Sequence, residues 1–336
     1  MNRIILTGAS GMLGFYLVRR LLDAEFDNLV LLLRPESNTT LLETLALEKL
    51  EIIRTEIGYR DGCKGILAEG DVVIHAAATL GFGHSERYVF NVNHIWTRSI
   101  VDEALAAKAA GMIFVSSVAA LNRMKEGPVS EEERFDFPDK AGPYALSKYK
   151  AEKEIWRGHA EGLPSIVFNP SQLIGLGHYD QLNSKMLHYF RKLWKYFPVG
   201  GLGIVDVRDV AEAIVRVLIV NNLWGQQFLL NAENLSYRTF INEARLRMQL
   251  PTLSSPLPLW VHRYGYPLFA SYHWVNGEQN PFTRNYLRNL ARKFEYDNSE
   301  SLKIPDFKYR SWNETLDDWV KTFKQTKEKS FGILPR

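Results

Sequence analysis

The chain has one cysteine, Cys63, in 336 residues, so it holds no internal disulfide, and that scarcity fits a reducing compartment. No apolar run reaches the roughly 18 residues that a membrane-crossing helix needs. No charge of one sign dominates: 41 lysines and arginines face 38 acids, a net of +3. Basic residues are scattered except from Lys321 to Lys329, where a solvated last helix accounts for them. A nucleic-acid binder concentrates its cations on one element, so no nucleic-acid partner is expected, and no metal either. The first apolar strand starts directly after Asn2, leaving no room for a signal peptide, and a cytoplasmic location is expected. Asn38-Thr39-Thr40 and Asn313-Glu314-Thr315 match the glycosylation pattern and are then chance matches.

What is present is an ordinary globular composition, 46% hydrophobic and 24% charged, sufficient for one large or two moderate domains. Its organising stretch is Ile4 to Gly14, IILTGASGMLG. A buried strand runs through three glycines into a helix whose apolar face is Leu13, Leu17 and Leu21 with Val18 and Leu22. Bare backbone at such a junction admits a pyrophosphate, and the positive helix start attracts it. Gly8, Ser10, Gly11, Met12, Leu13 and Gly14 are therefore expected to contact a dinucleotide, although the spacing Gly-x-x-Gly-x-x-Gly is not the commonest fingerprint. A second apolar strand, Leu29 to Leu33, ends at Arg34 where an acid would select NAD; a guanidinium there suits the 2′-phosphate of NADP.

Further on, Thr40 to Leu50 reads as helix and Glu51 to Arg54 as a third strand. Asp71 to Ala78 reads as a fourth strand, with Ala76, Ala77 and Ala78 small enough for a cofactor to lie against, and with His75 as a core histidine. Glu86 to Ala110 reads as one long helix, and Gly111 to Ser117 as a fifth strand ending in Ser116 and Ser117 at the ligand edge. Asn122 to Gly142 is loop-like. Pro143 opens a helix that runs through about Glu161 and puts Tyr144 and Lys148 on one face. An ammonium beside a phenol stabilises the phenolate and brings it toward working pH. Strand and helix alternation implies parallel βαβ units with a crevice at the strand ends.

Together TGASGMLG, DVVIHAAA, Asn93, Ser117 and YALSK resemble, in order and approximate spacing, an extended short-chain dehydrogenase/reductase of the NAD-dependent epimerase/dehydratase superfamily. VFNPSQLIGLG, GLGIVDVRDVAEAI and FEYDNSESL carry the resemblance almost to the end of the chain. It implies a Rossmann-type doubly wound parallel α/β sheet with a smaller, mainly helical C-terminal substrate lobe. The expected division is a cofactor domain of 1–168 with 203–232, a substrate lobe of 169–202 and 233–325, and a tail from 326 to 336. By resemblance Tyr144 is the acid/base, Lys148 lowers its pKa and holds the nicotinamide ribose, Ser117 orients the carbonyl, and Asn93 supports the relay or the nearby helix. Asn169, Pro170, Ser171 and Leu173 are expected around the nicotinamide with Ser116. Where relatives carry Gly-Asp against adenine this chain has Thr55-Glu56-Ile57, so Glu56 and Ile57 take that place. RPES and PVGGLGIVDVRDVAEA resemble the dihydroflavonol-reductase-like or hydroxysteroid-dehydrogenase-like branch. Val118 and Ala119 stand where dehydratases carry Asp-Glu, while FNP at Phe168 to Pro170 keeps a sugar-nucleotide epimerase as the alternative. The expectation is an NADP-dependent oxidoreductase acting on a carbonyl or secondary alcohol of a small, apolar substrate, with NAD the less favoured cofactor. Intact Ser117, Tyr144 and Lys148 argue against a non-catalytic regulator. Many relatives dimerise through the helices matching Glu86 to Ala110 and Tyr144 to Glu161, which makes a homodimer an implication of the resemblance. Leu257 to Trp274 gathers Trp260, Tyr264, Tyr266, Phe269, Tyr272 and Trp274, and with Arg263 its only cation it reads as a packed helix, not a membrane-surface one.

Overall fold

The computed structural model of the protein describes residues 3–45, 50–58, 62–80, 84–123, 127–133, 142–178, 182–193, 195–267, 270–271, 284–326 and 331–336, without the side chains of 182–184. Its first half runs β1 (Ile4–Thr7), α1 (Met12–Asp23), β2 (Leu29–Leu33), β3 (Leu50–Arg54), β4 (Val72–His75), α2 (Glu86–Phe90), α3 (Trp96–Ala106), β5 (Gly111–Val115) and α4 (Pro143–Ala160). Its second half runs β6 (Ser165–Pro170), β7 (Gln172–Ile174), α5 (Leu182–Lys192), β8 (Tyr196–Phe197), β9 (Gly201–Asp206), α6 (Val207–Val220), β10 (Gln227–Leu230), β11 (Glu233–Ser236), α7 (Tyr237–Arg247), β12 (Ser255–Pro256), α8 (Leu259–Tyr264), α9 (Arg284–Asn289) and α10 (Trp312–Gln325).

Seven strands form one parallel sheet in the order β10-β6-β5-β4-β1-β2-β3. Successive side chains of a strand point to opposite faces, and here both faces are covered. Ile4, Leu6, Leu31, Ile113 and Phe168 join one core with Leu17 of α1 and Ile214 of α6. Ile5, Val30, Leu32, Phe114 and Val167 join the other with Ile100 of α3 and Ile155 of α4. That two-sided burial is why these strands read as unbroken apolar runs. The order reverses between β1 and β4, so a crevice opens above their C-terminal ends. A smaller three-stranded sheet, β11-β9-β7, follows, and α7 meets α10 where Phe240 stacks on the fully buried Trp319 with ring centroids 6.1 Å apart. Among the described residues no helix is long and apolar enough to cross a membrane.

Three local expectations are corrected. Within Thr40 to Leu50 the described backbone has a single tight turn at Leu42–Thr44, and Leu50 already pairs with Leu29. Pairing to the sheet has overridden a helical apolar pattern; residues 46–49 lie outside the described residues. The strand expected over Asp71 to Ala78 closes at His75, because Ala76 and Ala77 bend over the glycine turn and donate to the Thr7 carbonyl and hydroxyl, both at 3.3 Å. The packed-helix reading of Leu257 to Trp274 does not hold at α8: Leu259, Trp260 and Tyr264 are 66%, 59% and 64% exposed. One turn and a half of helix seats only His262 fully. Phe269, Tyr272 and Trp274 lie outside the described residues.

Candidate active site

The glycine turn is shaped by contacts that leave no room for a side chain. Gly8 adopts φ +79°, and a Cβ there would sit 2.6 Å from the Ala77 nitrogen. A Cβ on Gly14 would sit 2.0 Å from the Gly8 carbonyl oxygen, so α1 starts tight against the end of β1. Gly11 caps α1 with no side-chain hydrogen bond to its first turn. Backbone N–H groups at the start of α1 thus face the crevice with Ser10 half-buried beside them, while Met12 and Leu13 are buried and anchor the helix. Ala76 and Ala77 are half-buried and Ala78 exposed along the crevice wall.

Arg34 lies at the end of β2, its side chain 40% exposed, with Nη1 donating to the Tyr88 hydroxyl at 3.2 Å and lying 3.1 Å from Glu36. Arg54 fixes this turn from below, donating to the Pro35 carbonyl at 2.8 Å and to those of Arg34 and Ser37 at 3.3 Å. Glu56 is exposed and Ile57 buried at the end of the same edge.

At the other side of the crevice α4 presents its first turns to the ends of β5 and β6. Tyr144 is hydrogen-bonded to Ser117; burial raises its phenol, and the Ser117 bond and the Arg123 charge oppose that rise. Ser117 also accepts from the Ala119 amide at 3.1 Å, which fixes its rotamer. Lys148 is 1% exposed and donates to the Val115 carbonyl at 2.7 Å, with Nζ 4.2 Å from the Phe114 ring. Asn93 sits where the helical stretch from Glu86 widens into one π turn, Asn91–Ile95, a distortion frequent at functional sites. Its side chain accepts from the Thr79 amide at 2.8 Å and donates to the Thr79 carbonyl at 2.9 Å and to the Ser147 hydroxyl at 3.0 Å. Since Ser147 bonds back to the Tyr144 carbonyl at 2.8 Å, Asn93 positions the Tyr144 turn.

Asn169 is wholly buried, donating to the Ser117 carbonyl at 3.0 Å and to Glu152 at 2.6 Å, and accepting from Gln227 at 2.7 Å. Glu152 and Gln227 escape the sequence reading; the i,i+4 spacing of Glu152 from Lys148 was the available signal. Pro170 is buried at the end of β6 and Leu173 half-buried in β7. Ser116 and Ser171 are buried with hydroxyls that find no partner. Orphaned hydroxyls at the ends of β5 and β6, together with a glycine cradle that a Cβ would fill, fit a dinucleotide whose nicotinamide end supplies the missing partners. His75 is a core residue as expected: its ring bonds Thr7 at 2.6 Å and Thr97 at 2.9 Å, and burial holds it neutral with a pKa of about 3.

Burial lowers the Lys148 ammonium from 10.5 to about 7, with Glu152 opposing the fall. Between those values the unfolded chain holds the extra proton, so the stability of the cofactor-free protein rises with pH across that window. Lys148→Met is expected to flatten the rise. Urea midpoints of both proteins at several pH values between 7 and 10 measure it, and parallel profiles would contradict the assignment.

The family model for the NAD dependent epimerase/dehydratase family matches residues 4–223. Sterol demethylase protein B of Methylococcus capsulatus is 25% identical over 234 residues, covering 68% of this chain and 70% of that protein. A Candida albicans protein assigned as an NADPH-dependent methylglyoxal reductase is 24% identical over 363 residues, covering 94% of this chain and 97% of its own. Other curated relatives are far larger, and the chain matches only 4% to 6% of the length of four of them. Among solved structures, gox2253 superposes with a TM-score of 0.80 at 24% identity, covering 97% of this chain and 98% of that one, a likeness of fold.

Proposed function

The chain belongs to the NAD dependent epimerase/dehydratase family, and from that premise we propose that it is an NADP-dependent oxidoreductase acting on a carbonyl or secondary alcohol of a small substrate. The observation that carries this reading is the Tyr144 phenol hydrogen-bonded to Ser117, one helical turn from the buried Lys148, at the C-terminal edge of the sheet. When bound, the nicotinamide donates or accepts the hydride. Tyr144 moves the proton to or from the substrate oxygen, Ser117 donates a hydrogen bond to that oxygen, and Lys148 supplies positive charge beneath both. Asn93 and Asn169 hold the Tyr144 turn and the Ser117 carbonyl in place. Residues 1–168 with 203–232 would carry the cofactor, and 169–202 with 233–325 the substrate.

NADP is favoured over NAD by Arg34 at the end of β2 and by the cofactor in the name of the Candida relative. A net reductase is favoured over a dehydratase by Val118 and Ala119 after Ser117, and over an epimerase by the activity in the name of that same relative. A panel of carbonyl compounds, hydroxysteroids and sugar nucleotides, followed by absorbance of the reduced cofactor, tests the reading. Cofactor-coupled turnover of at least one carbonyl or alcohol is expected. Interconversion of sugar nucleotides with no net change in cofactor absorbance would overturn it in favour of an epimerase.

A further inference from the structure

Six residues after Ser117 the chain places Arg123, a cation with no role in the proton relay just described. Its guanidinium lies over the Phe294 ring, 4.7 Å from the centroid, and the residue is only half-buried. Phe294 and Tyr296 form a small apolar cluster with Val118 and Leu121, and Val129 ties the two segments by accepting from Asp297 and donating to Glu295, each at 2.9 Å. Arg123 is thereby held beside the Ser117 turn and not on a free loop. Its charge reaches the phenols of Tyr144 and Tyr237, favouring the ionised form of each.

Among the described residues no carboxylate pairs with Arg123. Glu295, the acid next to Phe294, is engaged by Lys293 at 2.5 Å. A guanidinium held over an aromatic ring can still offer the N–H fork that grips an oxyanion through two parallel bonds. Partial burial of a cation that has no carboxylate partner among the described residues costs stability, and a ligand that brings the counter-charge offsets that cost.

We propose that Arg123 selects the substrate by binding an oxyanion carried near the reacting carbonyl, so that the enzyme prefers anionic keto or hydroxy compounds, carboxylates or phosphates, over neutral ones of the same size. This rests on the oxidoreductase reading and adds a charged head to the small substrate proposed there. An acid-to-neutral preference of about ten- to a hundredfold is expected, the range of a charge-assisted fork.

The test compares kcat/KM for α-, β- and γ-keto acids against their methyl esters, and for dihydroxyacetone phosphate against dihydroxyacetone, in the parent, Arg123→Gln and Arg123→Lys. A preference for at least one anion that collapses to about threefold or less in Arg123→Gln and returns in part in Arg123→Lys bears the proposal out, and the preferred arm tells carboxylate from phosphate. Equal rates for every pair in the parent, or a preference that survives Arg123→Gln, overturn it while leaving the oxidoreductase reading intact. A second measurement needs no turnover: butyrate against butyramide, and inorganic phosphate, titrated into the protein with NADP and read by tryptophan fluorescence. If no carbonyl is turned over yet an anion binds and Arg123→Gln abolishes that binding, the oxidoreductase reading falls and the oxyanion site stands. If neither turnover nor anion binding is seen, both fall.

Discussion

Tyr144→Phe is expected to lower kcat by about a hundred- to ten-thousandfold, the range that a positioned general acid or base contributes, while NADP affinity changes by no more than about twofold. The substitution removes one oxygen and keeps the ring, so the half-buried first turn of α4 retains its packing. Asn93 and Ser147 hold that turn through the Tyr144 carbonyl and not through its phenol, so the backbone geometry survives. Cofactor contacts expected at the glycine turn and at Arg34 lie across the crevice and are untouched. Ser117 keeps its bond from the Ala119 amide, and on the proposed mechanism it would still meet the substrate oxygen with no phenol left to carry the proton. Fluorescence titration of the cofactor with steady-state kinetics separates the two effects. A purified variant that turns over like the parent would remove Tyr144 from the mechanism, and an equal loss of cofactor binding would make it a structural residue.

What the sequence makes legible depends on how local its cause is. The parallel strands announce themselves because both faces are buried, as in the wholly buried LVLLL of β2. Gly8 and Gly14 are legible because only bare backbone fits where α1 meets β1, and the Tyr144 and Lys148 pair because helical spacing fixes their shared face. Asn93 is legible from its place in a motif, but its work of latching Thr79 to Ser147 depends on a π turn and on partners 14 and 54 residues away. Asn169 is expected beside the nicotinamide from the resemblance of VFNPSQLIGLG; what that motif does not show is that its side chain links Ser117, Glu152 and Gln227, partners 52, 17 and 58 residues away. The exposure of α8 was illegible for a similar reason, since aromatic density says nothing about which surface, if any, faces the helix. Arg123 reads in the sequence as one of many scattered cations, because its place over Phe294, with no carboxylate partner among the described residues, is a property of the folded neighbourhood.

Arg34→Ala is expected to weaken NADP binding by about ten- to a hundredfold and NAD binding by about threefold or less, because only NADP carries a 2′-phosphate for the guanidinium to grip. The structure sets the direction of two refinements. Glu36 lies 3.1 Å from the same Nη1 that would meet the phosphate, so a bound phosphate must share the cation with a carboxylate. Glu36→Gln is therefore expected to tighten NADP binding and to leave NAD binding nearly unchanged. Arg54, by contrast, donates among the described residues to backbone carbonyls of the turn, so it holds Arg34 in position without neutralising it, and Arg54→Ala should loosen the selectivity by freeing the turn. The Arg34 side chain is 40% exposed, which leaves its charge open to screening, and raised salt should weaken NADP binding more than NAD binding. Calorimetric titration of both cofactors into the parent, Arg34→Ala and Glu36→Gln at low and high salt reads all of these. Equal affinities for the two cofactors in the parent, or equal losses in Arg34→Ala, would show that the end of β2 does not choose the cofactor, and the 2′-phosphate would then have to be recognised elsewhere or not at all.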